Sequence, residues 1–319
     1  MIKTTSRSNG NRIYAASEKI FMNKQIDISI VIVTYNNADI LLTCLKSLSQ
    51  SLAKYSAQVI IIDNASSDGT AELLRDNTKW LTSGFYRVRS IFNSSNTGYT
   101  HGVNQGLSQC DGRFILLLNP DVILMPATIT VLVNRLISSK SSGIVAPQLR
   151  FADGTVQPSC RRFPRKRDVL YEILLLRVLF PDAAWLNHWQ MTDFDHRSSR
   201  DVDQPQGAFL LLKHQVLRDT GFFDERFFMF FSDVDWCHRV RQKGWNIRFC
   251  AETCAVHLKG ASISKERAKM IVSSHRSFLQ YLQKYERKKF GVGLFIIHVI
   301  LLVILIPRIL LAKLNLNQG

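Results

Sequence analysis

FILLLNPDVIL (114–124) is the stretch of sequence that decides the fold class. Five apolar residues run without a break and stop at Asn119-Pro120-Asp121. A short apolar run bounded by turn residues is typical of a strand that is buried on both faces of a parallel sheet. Pro120 has no N–H group to offer a neighbouring strand, so we predict that the strand ends there. Asp121 would then lie at the carboxyl edge of the sheet, where open α/β sheets bind ligands.

The same pattern recurs through the first half of the chain. Apolar runs at 28–33 and 58–62, and a less cleanly apolar one at 85–91, come before turn residues or segments of helical periodicity, as the run at 114–118 does. This alternation predicts an α/β fold in which a mostly parallel central sheet is flanked by helices. After residue 143 the pattern changes, and Asp153-Gly154 between two short strand-like segments indicates a hairpin.

Composition indicates a globular protein with a localised positive charge. The 319 residues are 46% hydrophobic and 21% charged, with a formal net charge of +16. Nearly all of this charge lies in three stretches, 1–25, 150–167 and 265–290, which carry +4, +5 and +6. A nucleic-acid-binding protein more often spreads basic residues along one surface and interleaves aromatic residues, so we do not expect that function. Basic segments, one of them followed by the apolar run 292–306, favour contact with an anionic membrane surface.

Polar residues follow three of the predicted strands and should meet at one edge of the sheet. Thr34-Tyr35 follows the first strand, Asp63 the second and Asp121 the fourth. Asp121 is a candidate ligand for a divalent cation that holds phosphate oxygens, and His257, which follows a later strand, could complete that site. Asp63 suits hydrogen bonds to a nucleotide base or ribose. The alternative for both aspartates is an ordinary turn or helix-capping role.

A second cluster, FFMFFSDVDWCHR (227–239), places two carboxylates behind four phenylalanines. Helix capping would explain one of these acids. An apolar wall raises the pKa of a nearby carboxylate and makes it a competent general base. The chain has neither a GxGxxG nor a GxxxxGK[ST] sequence, so a dinucleotide-binding or P-loop site is not expected.

Seven segments, in order, resemble the GT-A-fold family 2 glycosyltransferases and, within them, the bacterial rhamnosyltransferase-like branch. Together they cover about residues 28–290. One segment alone would be weak evidence for the family, but seven segments in this order are specific. The segments are VIVTYNNADILLTCLKSL, VIIIDNASSDGTAELL, NSSNTGYTHGVNQGL, FILLLNPDVILMP, PQLRFADGTVQPSCRRFP, GAFLLLKHQVLRDTGFFDERFFMFFSDVDWCHRVRQKGW and the segment around His257.

The resemblance implies an inverting sugar transfer from a nucleotide diphosphate sugar, with Mg²⁺ or Mn²⁺ as cofactor. Asp121 matches the family's metal-binding DxD motif, whose first acid is Asn119 here, and His257 matches a histidine that joins the metal site in some members. Asp233 matches the catalytic base. Ser232 stands where an acid often precedes that base, so Asp235 is a second candidate. The residues predicted to contact the donor are Thr34, Tyr35, Asn36, Asp63, Asn64, Gly98, Asn104, Asn119, Arg161 and Arg162.

The predicted substrates are dTDP-rhamnose and a hydroxyl group of a lipid-linked or cell-surface polysaccharide acceptor. UDP-GlcNAc, UDP-Gal and GDP-mannose are alternative donors, and Arg161 and Arg162 could instead hold the acceptor's pyrophosphate or be surface residues. A catalytically inactive glycan-binding or scaffold relative is a second alternative. A sugar nucleotidyltransferase would need a glycine-rich basic loop after the first strand, and TYNNA (34–38) is not one.

We expect five segments along the chain: a flexible basic leader (1–26), a nucleotide-sugar-binding half (27–147), an acceptor-binding and catalytic half (148–262), a basic helix (263–290) and a membrane-associated or transmembrane helix (291–313). The apolar run 292–306, extended by 310–312, reaches the roughly 20 residues that a membrane span needs only if Arg308 snorkels. These features predict a protein at the cytoplasmic face of the bacterial inner membrane. Nothing in the sequence indicates an oligomeric state.

Overall fold

Seven helices and eleven strands are formed by the described residues. The structure is a computed structural model that describes residues 25–52, 54–76, 84–165, 167, 168, 171, 176, 180, 183, 185–258 and 267–290, with the side chains of the last helix described from 270 to 285. The helices are α1 (Leu41–Leu52), α2 (Thr70–Asp76), α3 (Tyr99–Leu107), α4 (Thr128–Ile137), α5 (His214–Thr220), α6 (Ser232–Gln242) and α7 (Arg267–Phe290). The strands are β1 (Ile28–Thr34), β2 (Ala57–Asp63), β3 (Arg87–Phe92), β4 (Phe114–Leu118), β5 (Val122–Leu124), β6 (Ser142–Arg150), β7 (Cys160–Arg161), β8 (Arg200–Asp201), β9 (Gln204–Pro205), β10 (Phe209–Lys213) and β11 (Asn246–His257).

One large sheet organises the molecule, in the order β3-β2-β1-β4-β10-β6-β11-β5, with β8 beside β11. β1, β2, β3 and β4 are parallel, as their alternation with helices predicts. The prediction of a mostly parallel sheet is nevertheless wrong for the second half. β10 pairs antiparallel with both β4 and β6, so the sheet is mixed. The short strands β7 to β9 precede β10 in the chain, and a local apolar run such as Phe209–Lys213 does not indicate whether its neighbours run parallel or antiparallel.

The sheet is buried on both faces. α1 packs Leu41, Leu45 and Leu48 into the core cluster on one face, together with Ile30 and Ile32 of β1. α3 covers the other face at very close range: a Cβ atom on Gly106 would lie 2.3 Å from Val31 Cγ1. Glycine at this position therefore lets α3 lie directly on β1. The burial of both faces explains why the strands read as continuous apolar runs.

The two predicted halves share this sheet. The predicted boundary at 147/148 falls inside β6, and the second half contributes β10 and β11 to the same sheet. The end of β11 returns to the first half, where it pairs antiparallel with β5 and sets His257 opposite Val122. This pairing places the end of the second half next to Asp121.

The predicted basic helix corresponds to α7, which is 24 residues long. α7 packs Phe278, Tyr281 and Leu282 against Phe227 and Phe231 from the start of α6. No helix in the described ranges is both long enough and apolar enough to span a membrane. The predicted membrane segment 291–313 and nearly all of the predicted leader 1–26 lie outside the described residues.

Candidate functional site

A cavity of about 310 Å³ opens at the carboxyl ends of β1 and β4. Because β1 pairs in parallel with both β2 and β4, the residues that follow these strands lie at one edge of the sheet. The cavity is lined by Val33, Thr34, Tyr35, Asn37, Asn64, Asn96, Tyr99, Asn119, Pro120, Asp121, Gln206, Gly207, Ala208, Phe228, Met229, Phe230, Phe231, Ser232, Asp233, His257 and Met270. The predicted convergence of strand ends therefore produces a real cleft.

Asp121 and His257 face each other in this cleft. His257 Nε2 lies 3.4 Å from Asp121 Oδ1, and the backbone N–H of Leu258 donates to the carbonyl of Asp121 at 2.9 Å. Both side chains are largely buried: that of His257 is 3% exposed and that of Asp121 is 14% exposed. The antiparallel pairing of β5 with β11 holds the two residues together across 136 positions of sequence.

The hydrogen bond on the other side of the imidazole ring shows what this pair can bind. Gln157 Oε1 lies 3.0 Å from His257 Nδ1 and accepts a hydrogen bond from the N–H there, so the lone pair of the neutral ring is on Nε2. That lone pair points at Asp121 Oδ1, a buried oxygen with no hydrogen-bond partner among the described residues. A divalent cation between the two acceptors would satisfy both, and Gln157 would orient the imidazole ligand from behind.

No group of three or more histidine, cysteine, aspartate or glutamate side chains with metal-binding geometry occurs in the described part of the chain. The pair therefore supplies two ligands, and a substrate phosphate and water would have to complete the coordination. This ligand set suits Mg²⁺, which usually keeps several waters and binds through one or two carboxylates plus substrate phosphates. It also suits Mn²⁺, which accepts carboxylate ligands in the same way. The residues present therefore fit the predicted cofactor.

Asp233 lies in the same cleft, in the first turn of α6. Its Oδ2 accepts hydrogen bonds from the side chain of Gln204 at 3.0 Å and from the backbone N–H of Gly207 at 3.1 Å. Its Oδ1 accepts from the N–H of Val234 at 2.9 Å. Burial raises the pKa of Asp233, although these hydrogen bonds partly oppose the shift. A carboxylate with a raised pKa, held by fixed donors in a cavity, has the properties of a general base.

The approach of the backbone to Asp233 depends on a glycine. A Cβ atom on Gly207 would lie 3.1 Å from Asp233 Oδ2 and 3.2 Å from its Cβ, closer than side chains normally pack. Tyr99 lines the same cavity and its hydroxyl donates to the carbonyl of Gly207 at 3.5 Å; burial, and then the negative charges of Asp233 and Asp121, raise the pKa of its phenol. Tyr99 is thus within electrostatic reach of both the base candidate and the cation ligand.

Asp235, the second candidate base, faces the other way. Its side chain is 0% exposed and is absent from the lining of the cleft. It accepts hydrogen bonds from Arg239 Nε at 3.0 Å and Tyr285 Oη at 2.7 Å, and it pairs with Lys284 Nζ at 2.5 Å. Residues two apart on a helix point about 200° apart, which explains how neighbouring acids reach different surroundings. Lys284 and Tyr285 are on α7, so these two partners make Asp235 a link between α6 and α7, whereas Arg239 lies on α6 itself.

Three of the four predicted wall phenylalanines line the cleft: Phe228, Phe230 and Phe231. Phe227 is buried instead and packs against α7. Phe231 has φ of 64°, a left-handed conformation that is unusual for an aromatic residue, immediately before α6 begins. Its ring lies 5.3 Å from Phe278 and 5.6 Å from Tyr281, so α7 helps to hold this turn.

Of the predicted donor-binding residues, Thr34, Tyr35, Asn64 and Asn119 line the cleft. Asp63 is buried beside them: Oδ2 accepts from the N–H of Ser66 at 3.2 Å, whereas Oδ1 has no hydrogen-bond partner among the described residues. Asn36 does not line the cavity, because its Oδ1 accepts from the N–H of Ser67 at 2.8 Å.

Four other predicted donor residues are not brought into the cavity lining. Gly98 supports Phe228 from behind, because a Cβ there would lie 2.5 Å from Phe228 Cδ2. Asn104 fastens the 223–225 loop, donating to Phe223 O at 3.0 Å. Arg161 donates to the carbonyls of Pro158 and Cys160, both at 2.8 Å. Arg162 forms an ion pair with Asp193 at 2.5 Å, so its guanidinium is less available to bind a phosphate.

Sequence reasoning missed several residues of the cleft. Gln157 and Gln204, which hold His257 and Asp233, belong to no recognisable motif and act through contacts 100 and 29 residues away. Asn37, Asn96, Tyr99 and Gln206 line the cavity without having been predicted. One local feature of the sequence did indicate this part of the cleft: the segment Gly207-Ala208-Phe209, in which a glycine precedes a buried strand.

The chain belongs to glycosyl transferase family 2, whose family model matches residues 29–239. The resemblance inferred from the sequence is thereby confirmed, and the protein is a glycosyltransferase.

Individual relatives agree with this assignment. The chain is 27% identical over 265 residues to N-acetylglucosaminyl-diphospho-decaprenol L-rhamnosyltransferase from Mycobacterium tuberculosis, covering 79% of this chain and 83% of the relative. It is 22% identical over 231 residues to rhamnosyltransferase WbbL from Escherichia coli, covering 72% and 82%. The fold is similar to that of the mannosyltransferase PcManGT from Pyrobaculum calidifontis, solved in complex with GDP-Man and Mn²⁺, with a TM-score of 0.55, 15% identity and coverage of 97% and 83%.

Proposed function

We propose that this protein is an inverting glycosyltransferase that transfers rhamnose from dTDP-rhamnose to a hydroxyl group of a lipid-linked or polysaccharide acceptor. Two curated relatives are named as rhamnosyltransferases, and one of those names specifies an N-acetylglucosaminyl diphospho-lipid. The observation that carries the proposal is that one cleft holds both the Asp233 carboxylate and the Asp121–His257 pair.

In this mechanism Asp233 accepts the proton of the acceptor hydroxyl as its oxygen attacks the anomeric carbon. The attack comes from the face opposite the nucleotide, so a single displacement inverts the configuration. Gln204 and Gly207 keep the carboxylate in a fixed orientation before the acceptor arrives. Because the carboxylate is held rather than free, little reorganisation is needed at the moment of reaction.

The donor end of the cleft is assigned to Asp121, His257 and Asp63. Mg²⁺ or Mn²⁺ held by Asp121 and His257 would stabilise the negative charge of the diphosphate leaving group. Support for this cofactor comes from the unpaired Asp121 Oδ1 and from the Mn²⁺ in the similar mannosyltransferase structure. The unpaired Oδ1 of Asp63 would accept a hydrogen bond from the nucleotide base or ribose.

We also propose that the protein works at the cytoplasmic face of the bacterial inner membrane. Support comes from the net charge of +6 over 265–290 and from the apolar run 292–306 that follows it. A basic segment adjoining an apolar one is suited to an anionic membrane surface. A lipid-linked acceptor would be presented at that surface.

The test is a transfer assay with full-length protein, an N-acetylglucosaminyl diphospho-lipid acceptor and either Mg²⁺ or Mn²⁺. Four donors are compared: dTDP-rhamnose, UDP-GlcNAc, UDP-Gal and GDP-mannose. Mass spectrometry should show the addition of one deoxyhexose from dTDP-rhamnose. Transfer of another sugar would correct the donor, and neither transfer nor donor hydrolysis with any of them would favour the inactive glycan-binding alternative.

Asp233→Asn tests the assignment of the base in the same assay. We expect a loss of about 10²–10⁴ in rate, with binding of dTDP-rhamnose unchanged, because the base acts only on the acceptor. Asp195→Asn, which changes an exposed aspartate outside the cleft, is the matched control. Wild-type turnover by Asp233→Asn would contradict the mechanism.

A further inference from the structure

A second cavity lies directly beside the catalytic cleft. This groove, of about 560 Å³, lies between α7, the segment 97–101 that leads into α3, and residues 225–228, and we call it the helix groove. Phe228 lines both the cleft and the helix groove, so its ring separates two adjoining spaces. The two cavities are therefore placed to receive neighbouring parts of one ligand.

The position of Phe228 is fixed by its backbone and by the glycine beneath it. The N–H of Thr100 donates to Phe228 O at 3.2 Å, and Gly98, with φ of 90°, leaves room for the ring. The Phe228 side chain is nevertheless 41% exposed. A partly exposed aromatic ring on a fixed backbone is well suited to lie against the apolar face of a sugar.

The walls of the helix groove carry cationic groups and hydroxyls. Arg276 on α7 forms no hydrogen bond or ion pair with any other described residue, and its side chain is exposed. One turn away, the buried Ser273 Oγ also lacks a hydrogen-bond partner within the described ranges. An uncommitted guanidinium beside an unsatisfied hydroxyl matches the donors that a phosphate group needs.

The other charged groups of the helix groove are already paired. Arg226 is paired with Asp224 at 2.5 Å, and His101 lies 3.1 Å from Glu225. Glu225 also accepts from Asn104 at 2.9 Å. The two carboxylates are thus neutralised or hydrogen-bonded, which leaves Arg276 as the charge available to an incoming anion.

We propose that the helix groove binds the diphosphate of a lipid-linked saccharide acceptor. Arg276 and Ser273 would hold phosphate oxygens, and the acceptor sugar would lie against Phe228 with its hydroxyl directed to Asp233. This inference rests on the proposed transfer to a lipid-linked acceptor and names the site for the part of that acceptor that does not react. It also gives α7 a role in substrate binding, since Met270 of the same helix lines the cleft.

The test compares two matched acceptors: an N-acetylglucosaminyl diphosphate that carries a farnesyl chain, and the farnesyl glycoside of the same sugar without the diphosphate. Binding to full-length protein is measured by titration, and KM by the transfer assay. Arg276→Ala should weaken binding of the diphosphate acceptor about tenfold, because a charge-assisted hydrogen bond is lost. Binding of the plain glycoside and of the nucleotide-sugar should not change.

Two variants sharpen the comparison. Lys243→Ala removes one positive charge from an exposed position at the far end of α6 and should affect neither acceptor. Arg276→Lys keeps the charge but loses the two-pronged geometry, so it should restore only part of the affinity. Vesicles of phosphatidylglycerol without acceptor provide a separate arm that reports on binding to ordinary lipid headgroups.

The outcomes separate this inference from the proposed function. Three results with Arg276→Ala would overturn the helix groove as a diphosphate site. Its affinity could fall equally for both acceptors, fall for neither, or fall equally for the vesicles. If those results accompanied normal sugar transfer by the wild type, the proposed function would stand without the groove. A loss of affinity by Arg276→Ala for the diphosphate acceptor alone would support the helix groove as the diphosphate site. This loss can be measured by binding even if no transfer is detected.

Discussion

At the scale of single residues, two acids in one helical turn have different roles, and only the fold separates them. The sequence places Asp233 and Asp235 in the same turn and, apart from the family resemblance that matches Asp233 to the base, offers no reason to choose. In the structure Asp233 lies in the cleft, whereas Asp235 pairs with Lys284 and Tyr285 of α7. Those partners are about fifty positions later in the chain, so no local pattern could have indicated them. The strand-end position of Asp121, by contrast, was predictable from its own eleven-residue segment.

The raised pKa of Asp233 predicts a characteristic pH dependence. The base must be ionised to accept a proton, so activity should fall as the pH drops through the pKa of Asp233. Because burial raises that pKa, the acidic limb of kcat/KM should lie above the ordinary aspartate value of about 3.9. Asp235→Asn should retain this limb. A profile that is flat down to that ordinary value would show that Asp233 is not the titrating base.

Gln157 has a role in the proposed metal site that the sequence alone did not indicate, and this role can be tested. Its Oε1 fixes the tautomer of His257, so Gln157→Leu should leave the imidazole free to place its proton on Nε2. We expect about a 10–100-fold loss of Mn²⁺ affinity, measured by titration of the protein in the presence of dTDP. Gln190→Leu, which changes a glutamine outside the cleft lining, serves as the control. Unchanged Mn²⁺ binding in Gln157→Leu would remove His257 from the metal site.

At the scale of elements, the first half of the sheet was predictable and the second half was not. β1, β2 and β4 are apolar runs, the edge strand β3 is only partly apolar, and all four alternate with helices; these features can be read locally. The place of β10 between β4 and β6 depends on pairing between segments about 65 to 100 residues apart, which no local periodicity reports. α7 did carry a readable pattern, since Phe278, Tyr281, Leu282 and Tyr285 follow helical spacing. From its positive charge we predict contact with a membrane surface, and that charge gives no indication that the helix packs next to α6.

The contact between α6 and α7 predicts a stability effect. Lys284 contacts both Asp224, at 2.8 Å, and the fully buried Asp235, at 2.5 Å. Lys284→Met should lower the free energy of unfolding by about 1–3 kcal/mol, because charged hydrogen bonds are lost while Arg239 and Tyr285 still serve Asp235. Denaturant unfolding measures this effect, with Gln283→Met as the neighbouring control. A double-mutant cycle with Asp235→Asn should show coupling, and strictly additive effects would mean that the pair contributes nothing.

At the scale of the whole molecule, the charge distribution predicts where the protein resides. The stretch 265–290 carries a net charge of +6 and leads directly to the apolar run 292–306. Each basic residue near an anionic leaflet contributes about 1 kcal/mol, so charge alone would give attachment that salt reverses. Burial of the apolar run would add attachment that salt does not screen.

Full-length protein should therefore sediment with membranes in high salt. A chain truncated after Phe290 keeps every described element and should be extracted by salt, while still binding nucleotide-sugar in the cleft of β1 and β4. Replacing the basic residues 287–289 by glutamine in the full-length chain should weaken attachment at low salt but leave the salt-resistant fraction. If the full-length protein remained in the supernatant at low salt without detergent, the apolar run could not be a membrane anchor. It would then have to bury its surface against protein, either in this chain or in a second copy.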